Sequence, residues 1–475
     1  MNENIKFGTD GWRGIIADDF TFDNVRRVGG AIASYVLKNE DGARGLAVGY
    51  DTRFGSRAFA DAISEVLAGA GIPIYLAGDF LPTPAISYVV KHNGCAGGVV
   101  ITSSHNPWNW NGVKFKATYG GSGTSAIMKA IEDELYAGAM PKGRRAPVQI
   151  TDFKPAYLAA VTKFANLEAI AASRFKFAID CMYGSGRNLL AEIFTQHGIP
   201  FVQIRSELNP LFPGINPEPI LPHVALLQET VVREKCSAGL AADGDADRIG
   251  AVTEDGEFVD AHKCFAILVK WLLDKKKWPG AITRAFNTTG MLDRIACKYG
   301  RELIEHGIGF KYICDIVLSG KEVLVGGEES GGIGIPRHLP ERDSILNSLL
   351  LANAMADYGQ TMGQLVAGLQ REFGPHYYGR RDLHLERAVI DSALQRALKL
   401  TRVGAYAIRK TEDLDGLKFF LDAPNQGNGA AAWVLLRASG TEPLMRLYCE
   451  AAAPELVEEI LAAAARFVQP KGAGA

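Results

Sequence analysis

The sequence predicts an α/β protein made of three related units, followed by a smaller α+β domain. Short, continuously apolar runs alternate with segments of helical period, which indicates βαβ units with mostly parallel sheets covered on both faces. That order recurs along the chain. The 475 residues correspond to three or four domains at roughly 150 residues each.

The first pass runs from the strand GLAVGYD (45–51) through a helical segment to AGIPIYLAG (70–78), the helix TPAISYVVKHN (83–93) and the strand CAGGVVI (95–101). The second uses FKFAID (175–180), HGIPFVQI (197–204), a helix around 222–235 and CSAGLAA (236–242). A third uses GAITRAF (280–286), GRELIEHG (300–307), FKYICDIVLSG (310–320) and KEVLVGG (321–327). Each pass ends in a polar loop: TSSHNP (102–107), DGDADR (243–248) and EESGG (328–332). Ligands of open α/β sheets bind beyond the carboxyl ends of strands, so three such loops are expected to share one cleft. From about 375 the pattern changes to alternating strands, YYGRRDLHL, AAWVLLRAS and PLMRLYCEA, closed by the amphipathic helix PELVEEILAAAARFV (454–468). A linker is expected at REFGPHYY (371–378). The domain limits follow as 1–148, 149–254, 255–372 and 373–475.

Lys and Arg number 51 against 53 Asp and Glu, so no global basic field exists to gather nucleic acid or anionic lipid. The seven cysteines lie far apart without a CxxC pair, which argues for reduced thiols and a cytoplasmic setting. The N-terminus MNENIKFGTDG lacks the layout of a signal peptide, and no stretch reaches the roughly 18 apolar residues of a membrane helix.

Among the loops, DGDADR places Asp243, Asp245 and Asp247 at alternate positions, on one face if the loop is extended. Three converging carboxylates repel unless a cation lies between them, and hard oxygen donors suit Mg²⁺. An EF-hand is the rival. Glu254 does stand at its twelfth place, but Arg248 replaces the glycine required at the sixth. In TSSHNP, Ser104 is a candidate nucleophile with His105 beside it, although such a stretch alone reads as a capped polar turn. Lys114, in NGVKFK (111–116), is a candidate cation or proton carrier. FGTDGWRG (7–14) sets glycines around Arg13, allowing close anion approach to backbone beside a guanidinium fork. Glu328 and Ser330 offer an acceptor and a donor for sugar hydroxyls. RASGTEPLMR (437–446) gathers Arg437, Ser439, Gly440, Thr441 and Arg446 into a candidate phosphate clamp. A metal, a serine, a hydroxyl-binding loop and a phosphate clamp together point to phosphoryl transfer.

These residues resemble the α-D-phosphohexomutase family, from Phe7 to about Tyr448 and with its four main loops in family order. The resemblance implies three similar α/β/α domains with mixed, mostly parallel sheets plus a smaller C-terminal α+β domain around one central cleft. It implies that Ser104 is the phosphorylated serine and that Asp243, Asp245 and Asp247, with a phosphate oxygen on Ser104, hold Mg²⁺. Arg13, Lys114 and Arg248 would surround the transferred phosphate, with Lys114 favoured over His105 for the hydroxyl proton. Glu328, Ser330 and Lys311 would contact the sugar, and Arg437, Ser439, Gly440, Thr441 and Arg446 its phosphate. The phosphate moves twice, through a hexose bisphosphate that turns over while the C-terminal clamp holds it. FGTDGWRG, GEESGG and GFK (309–311) look most like the phosphoglucomutase branch, with glucose 1,6-bisphosphate as activator and intermediate. The alternatives are a phosphomannomutase or dual-specificity enzyme, a phosphoglucosamine mutase, a metal-dependent sugar phosphatase and a non-catalytic sugar-phosphate binder. The partners expected are small hexose phosphates, with no nucleic acid and no membrane, for a monomer or homodimer. Two departures stand out. Bacterial relatives often carry His where this chain has Gly332, for which His338 is a candidate replacement, and Trp108 and Trp110 are unusual near a cleft mouth.

Overall fold

The chain opens with β1 (Trp12–Ile15), and the first predicted pass follows as β2 (Leu46–Tyr50), β3 (Ile74–Ala77) and β4 (Gly97–Ile101). β2 is parallel to β3 and to β4, and all five residues of β2 and of β4 are buried, as continuous apolar runs require. The sheet then turns back on itself. β5 (Trp110–Ala117) pairs antiparallel with β4, opposing Lys114 to Val100, and β1 pairs antiparallel with β5, opposing Arg13 to Gly112. The two-residue β6 (Gly121–Ser122) pairs with β5, and β7 (Val148–Thr151) extends the parallel side beyond β3. These coordinates are a computed structural model that describes residues 5–8, 10–424, 429–439 and 443–469.

The second pass repeats the plan. β8 (Phe177–Asp180) is parallel to β9 (Phe201–Ile204) and β10 (Ala238–Ala242), and β11 (Ile249–Thr253) returns antiparallel on β10, followed by β12 (Phe258–Val259). In the third, β13 (Ala281–Ala285) is parallel to β14 (Leu303–His306), and β15 (Val323–Gly327) pairs antiparallel with β16 (Ile333–Gly334). Each polar loop therefore joins the last strand of its pass to an antiparallel return strand. Those return strands give the sheets their mixed character.

The chain divides into two compact units, Met1–Ala281 with Gly309–Leu365 and Ile282–Ile308 with Val366–Ala475. In the first, the helix Ser344–Tyr358 is buried along most of its length, and its N-cap Asp343 accepts from the Leu346 N–H at 2.9 Å. In the second, six antiparallel strands run in the order β17-β22-β21-β20-β19-β18: β17 (Tyr377–His384), β18 (Arg402–Val403), β19 (Tyr406–Glu412), β20 (Leu417–Leu421), β21 (Trp433–Ala438) and β22 (Leu444–Ala451). The helix Pro454–Val468 buries Leu456, Val457, Ile460 and Leu461 in the core shared with this sheet. β17, β21, β22 and this helix match the expected segments, whereas β18 to β20 and the helix Arg387–Ala397 carry weaker apolar patterns. Among the described residues no helix is long and apolar enough to cross a membrane. All seven cysteines are free, and only Cys297 is exposed.

Candidate active site

Ser104 sits just beyond β4 with φ +52°, a left-handed conformation that a non-glycine residue adopts at a cost and that clusters at functional sites. The chain holds it there by a buried brace at the carboxyl end of β2. Arg53 donates to four carbonyls of the serine loop, those of Ser104, Asn106 and Pro107 at 2.7 Å each and that of Trp110 at 3.1 Å. Asp51 pairs with Arg53 at 3.2 Å and accepts from the Thr102 hydroxyl at 2.6 Å, and Thr102 Oγ1 in turn accepts from the Ser104 N–H at 3.0 Å.

The serine hydroxyl donates to Asp243 Oδ2 at 2.8 Å, which joins the first loop to the second. Gly244 makes the approach possible, because a Cβ there would lie 2.3 Å from the Ser104 carbonyl oxygen. Asp243, Asp245 and Asp247 are fully buried, and one oxygen from each lies within 4.8 Å of the others. Burial, then Asp247 and Asp245, push the Asp243 carboxyl well above its ordinary range. Asp245 is also buried, but Lys114, Thr83 and Arg342 hold its pKa down. Asp245 Oδ1 and Asp247 Oδ1 have no hydrogen-bond partner, and Arg248 Nε stands 3.9 Å from the latter. Unpaired buried carboxylate oxygens facing a third carboxylate fit a hard divalent cation such as Mg²⁺.

Lys114 lies 2.7 Å from Asp245, 3.0 Å from Asp247 and 3.0 Å from Asp10. Burial opposes its charge, yet Asp10, Asp245 and Asp247 raise its pKa, so it is a fixed ammonium. His105 Nδ1 is 3.4 Å from Ser104 Oγ; burial and then Arg248, Arg13, Arg53 and Lys114 keep the imidazole neutral. Arg13 donates to the Asn106 side chain at 3.1 Å, and Arg248 pairs with Glu218 at 3.3 Å. The third loop joins through Arg342, which reaches Glu328 at 3.3 Å, Asp247 at 2.8 Å and Asp10 at 3.0 Å. Burial raises the Glu328 pKa to about 7 even with Arg342 beside it.

The structure thus assembles Ser104, His105, Lys114, Arg13, Arg248, Glu328 and the three aspartates. Ser330 lies half-buried in the turn after Glu328. Lys311 starts the helix Lys311–Leu318 with its ammonium 5.2 Å from the Tyr312 ring centroid. His338 is buried between Tyr88 and Phe164 and stands 3.4 Å from Asp343. Trp108 is exposed, whereas Trp110 begins β5. In the second unit Arg437 pairs with Asp415 at 2.9 Å and opposes Arg446 across β21 and β22. Arg446 stands 3.8 Å from Asp382. Ser439 is buried, and its carbonyl accepts from Arg387 at 3.2 Å. Gly440 and Thr441 lie outside the described residues.

Six participants escaped the sequence reading: Asp10, Asp51, Arg53, Thr83, Lys116 and Arg342. Thr83 donates to Asp245 at 2.5 Å, and Lys116 bridges Asp10 at 3.0 Å and Glu341 at 2.7 Å. A usable signal existed for several of them. Asp10 stands inside FGTDGWRG, Lys116 inside NGVKFK, and Asp51 and Arg53 directly follow a buried strand.

Comparison with known proteins identifies the family of the fold. Sequence models of the phosphoglucomutase/phosphomannomutase α/β/α domains I, II and III match residues 4–141, 155–256 and 260–373, and that of the C-terminal domain matches 409–467. A phosphoglucomutase/phosphomannomutase of Thermococcus kodakarensis is 30% identical over 463 residues, covering 96% of each chain. A phosphoglucosamine mutase of Carboxydothermus hydrogenoformans is 28% identical over 465 residues, covering 96% of this chain and 97% of its own. A crystal structure from Thermus thermophilus, provisionally a phosphomannomutase, superposes with a TM-score of 0.86 at 34% identity, covering 98% of this chain and all of its own.

Proposed function

Since the chain belongs to the phosphoglucomutase/phosphomannomutase family, an isomerase family of four-domain enzymes, we propose that it interconverts α-D-glucose 1-phosphate and glucose 6-phosphate through phosphorylated Ser104. The observation that carries the reading is the 2.8 Å contact of Ser104 Oγ with Asp243, in a buried triad of carboxylates. Asp243, Asp245 and Asp247, with an oxygen of the phosphate on Ser104, would hold Mg²⁺. Bound there, the ion neutralises charge on the transferring phosphoryl group.

In the first transfer the bond from Ser104 Oγ to phosphorus breaks as the free sugar hydroxyl bonds to phosphorus. The hydroxyl proton passes through neutral His105, whose Nδ1 lies 3.4 Å from Ser104 Oγ, to the departing serine oxygen, while Lys114 keeps its proton and stands as fixed positive charge among its carboxylates. This gives His105 the proton work for which the sequence reading favours Lys114. The second transfer reverses the bonds with the other phosphate of glucose 1,6-bisphosphate, restoring phosphorylated Ser104. Arg13 and Arg248 supply fixed positive charge to the phosphate oxygens, and Glu328 and Ser330 orient the sugar hydroxyls with Lys311. Arg437, Ser439, Gly440, Thr441 and Arg446 form the clamp for the phosphate that stays. The domain limits we adopt are 1–148, 149–254, 255–372 and 373–475.

The test is a coupled assay with the 1-phosphates of glucose, mannose and glucosamine, Mg²⁺ and a trace of glucose 1,6-bisphosphate. Glucose 1-phosphate should turn over fastest, and intact mass should carry a phosphate that Ser104→Ala removes. Equal rates would favour the dual-specificity reading, which the double name of the Thermococcus relative supports. Net release of inorganic phosphate would instead mark a phosphatase.

A further inference from the structure

The sugar loop holds two adjacent glycines with different reasons for being glycine. Gly331 has φ +91°, a conformation that disfavours a side chain. Gly332 has no such φ, yet a Cβ there would stand 2.3 Å from Arg342 Cδ, 3.1 Å from Arg342 Cγ and 3.2 Å from Glu328 Oε2. Space is what excludes a side chain at 332. The occupant of that space is the aliphatic stem of Arg342.

Arg342 cannot readily swing aside. Its backbone bridges Gly334, and its guanidinium lies 5.4 Å from the Phe310 ring centroid. The guanidinium is also surrounded by Asp247, Asp10 and Glu328 within 3.3 Å and by Glu341 at 3.8 Å. A planar fork serves several carboxylates at once, as an ammonium cannot. One side chain thereby ties the carboxylate of the sugar loop to a carboxylate of the metal loop.

We propose that Arg342 is a positioning residue that sets Glu328 in register with the metal-loop aspartates, and that position 332 is glycine because Arg342 fills its side-chain space. Its effect on turnover rests on the mutase reading; the coupling of positions 332 and 342 does not.

A double-mutant cycle of Gly332→Ala, Arg342→Ala and the combined variant tests this, each read by Mn²⁺ affinity from electron paramagnetic resonance and by KM and kcat for glucose 1-phosphate. Gly332→Ala should cost about tenfold in kcat/KM with Arg342 present and about twofold or less in its absence. Arg342→Ala should raise KM and weaken Mn²⁺ binding by about tenfold. Arg342→Lys should recover Mn²⁺ affinity but leave KM raised. Effects that simply multiply, or unchanged KM and Mn²⁺ affinity in Arg342→Ala, overturn the proposal. If Arg342→Ala does not fold, Gly332→Ala alone decides, since unchanged KM and Mn²⁺ affinity in it defeat the idea. If even the unmodified protein turns over no hexose phosphate, the mutase reading fails while the Mn²⁺ cycle still answers for the coupling.

Discussion

Each unit holds a buried lysine, Lys114 in the first and Lys418 in the second, and these two are kept in opposite ways. Lys114 in the first is ringed by Asp10, Asp245 and Asp247, and these carboxylates raise its pKa. Lys418 in the second lies among the rings of Trp433, Phe286 and Phe420, at 4.6, 4.8 and 5.4 Å, and donates to the Phe286 carbonyl at 2.8 Å. Burial lowers its pKa, and it pairs with Glu305 only at 3.7 Å. The contrast separates a charge paired on all sides from a charge tolerated for packing. A ring of carboxylates keeps an ammonium charged, whereas an aromatic cage hides one.

The largest break in that comparison should come from Lys114→Met. It removes the cation shared by Asp10, Asp245 and Asp247 and leaves Arg342 and Lys116 to balance them, so stability should fall by about 3–5 kcal/mol, with kcat down by about 10²–10⁴. Thermal melts with and without Mg²⁺ check it: the ion should restore more of the melting temperature in this variant than in the wild type. Asp245→Asn comes next. It removes one partner of Lys114 and one candidate metal ligand together, and titration calorimetry should show Mg²⁺ affinity lower by about 10–100-fold.

Glu328 offers a milder test through pH. Burial raises its pKa to about 7, so the carboxylate proposed to accept sugar hydroxyls forms only as pH rises through that value. KM for the hexose phosphate should fall across pH 6 to 8 in the wild type relative to Glu328→Gln. Parallel profiles would remove Glu328 from sugar binding. The smallest effect is expected for Lys418→Met, where an apolar side chain replaces a desolvated ammonium. Stability should change by no more than about 1 kcal/mol with kcat intact. The sign of its pH dependence follows from the lowered pKa. The unfolded chain binds the proton more tightly, so the lysine costs stability at neutral pH and less as pH rises toward the ordinary lysine value. A stability gap between the two proteins that widens with rising pH would contradict the cage.

Much of this was legible in the chain because it is local. The strands of the three passes are continuous apolar runs, and Ser104, Asp243, Asp245 and Asp247 stand in compact polar loops directly after them. The return strands β5, β11 and β16 were harder to read, because antiparallel pairing is decided by partners rather than by pattern. The ionic hub was hardest. Asp10 meets Arg342 across 332 positions, and Lys116 meets Glu341 across 225. A lone charged residue in sequence looks like a solvated one, and only folding reveals that it is buried with a partner. Lys418 illustrates the same limit, since nothing beside it announces an aromatic cage.

The close seating of Gly244 under the Ser104 carbonyl also bears on how this protein could be altered in the laboratory. A library that diversifies 243–248 while keeping 103–106 fixed will lose nearly every member carrying a side chain at 244, whatever its merits elsewhere. Opening both segments together gives such members a second chance, because a shifted serine loop can accommodate the intruding carbon. Variants recovered that way should carry paired changes, one in each segment, and separating a pair should cost more than either change costs alone.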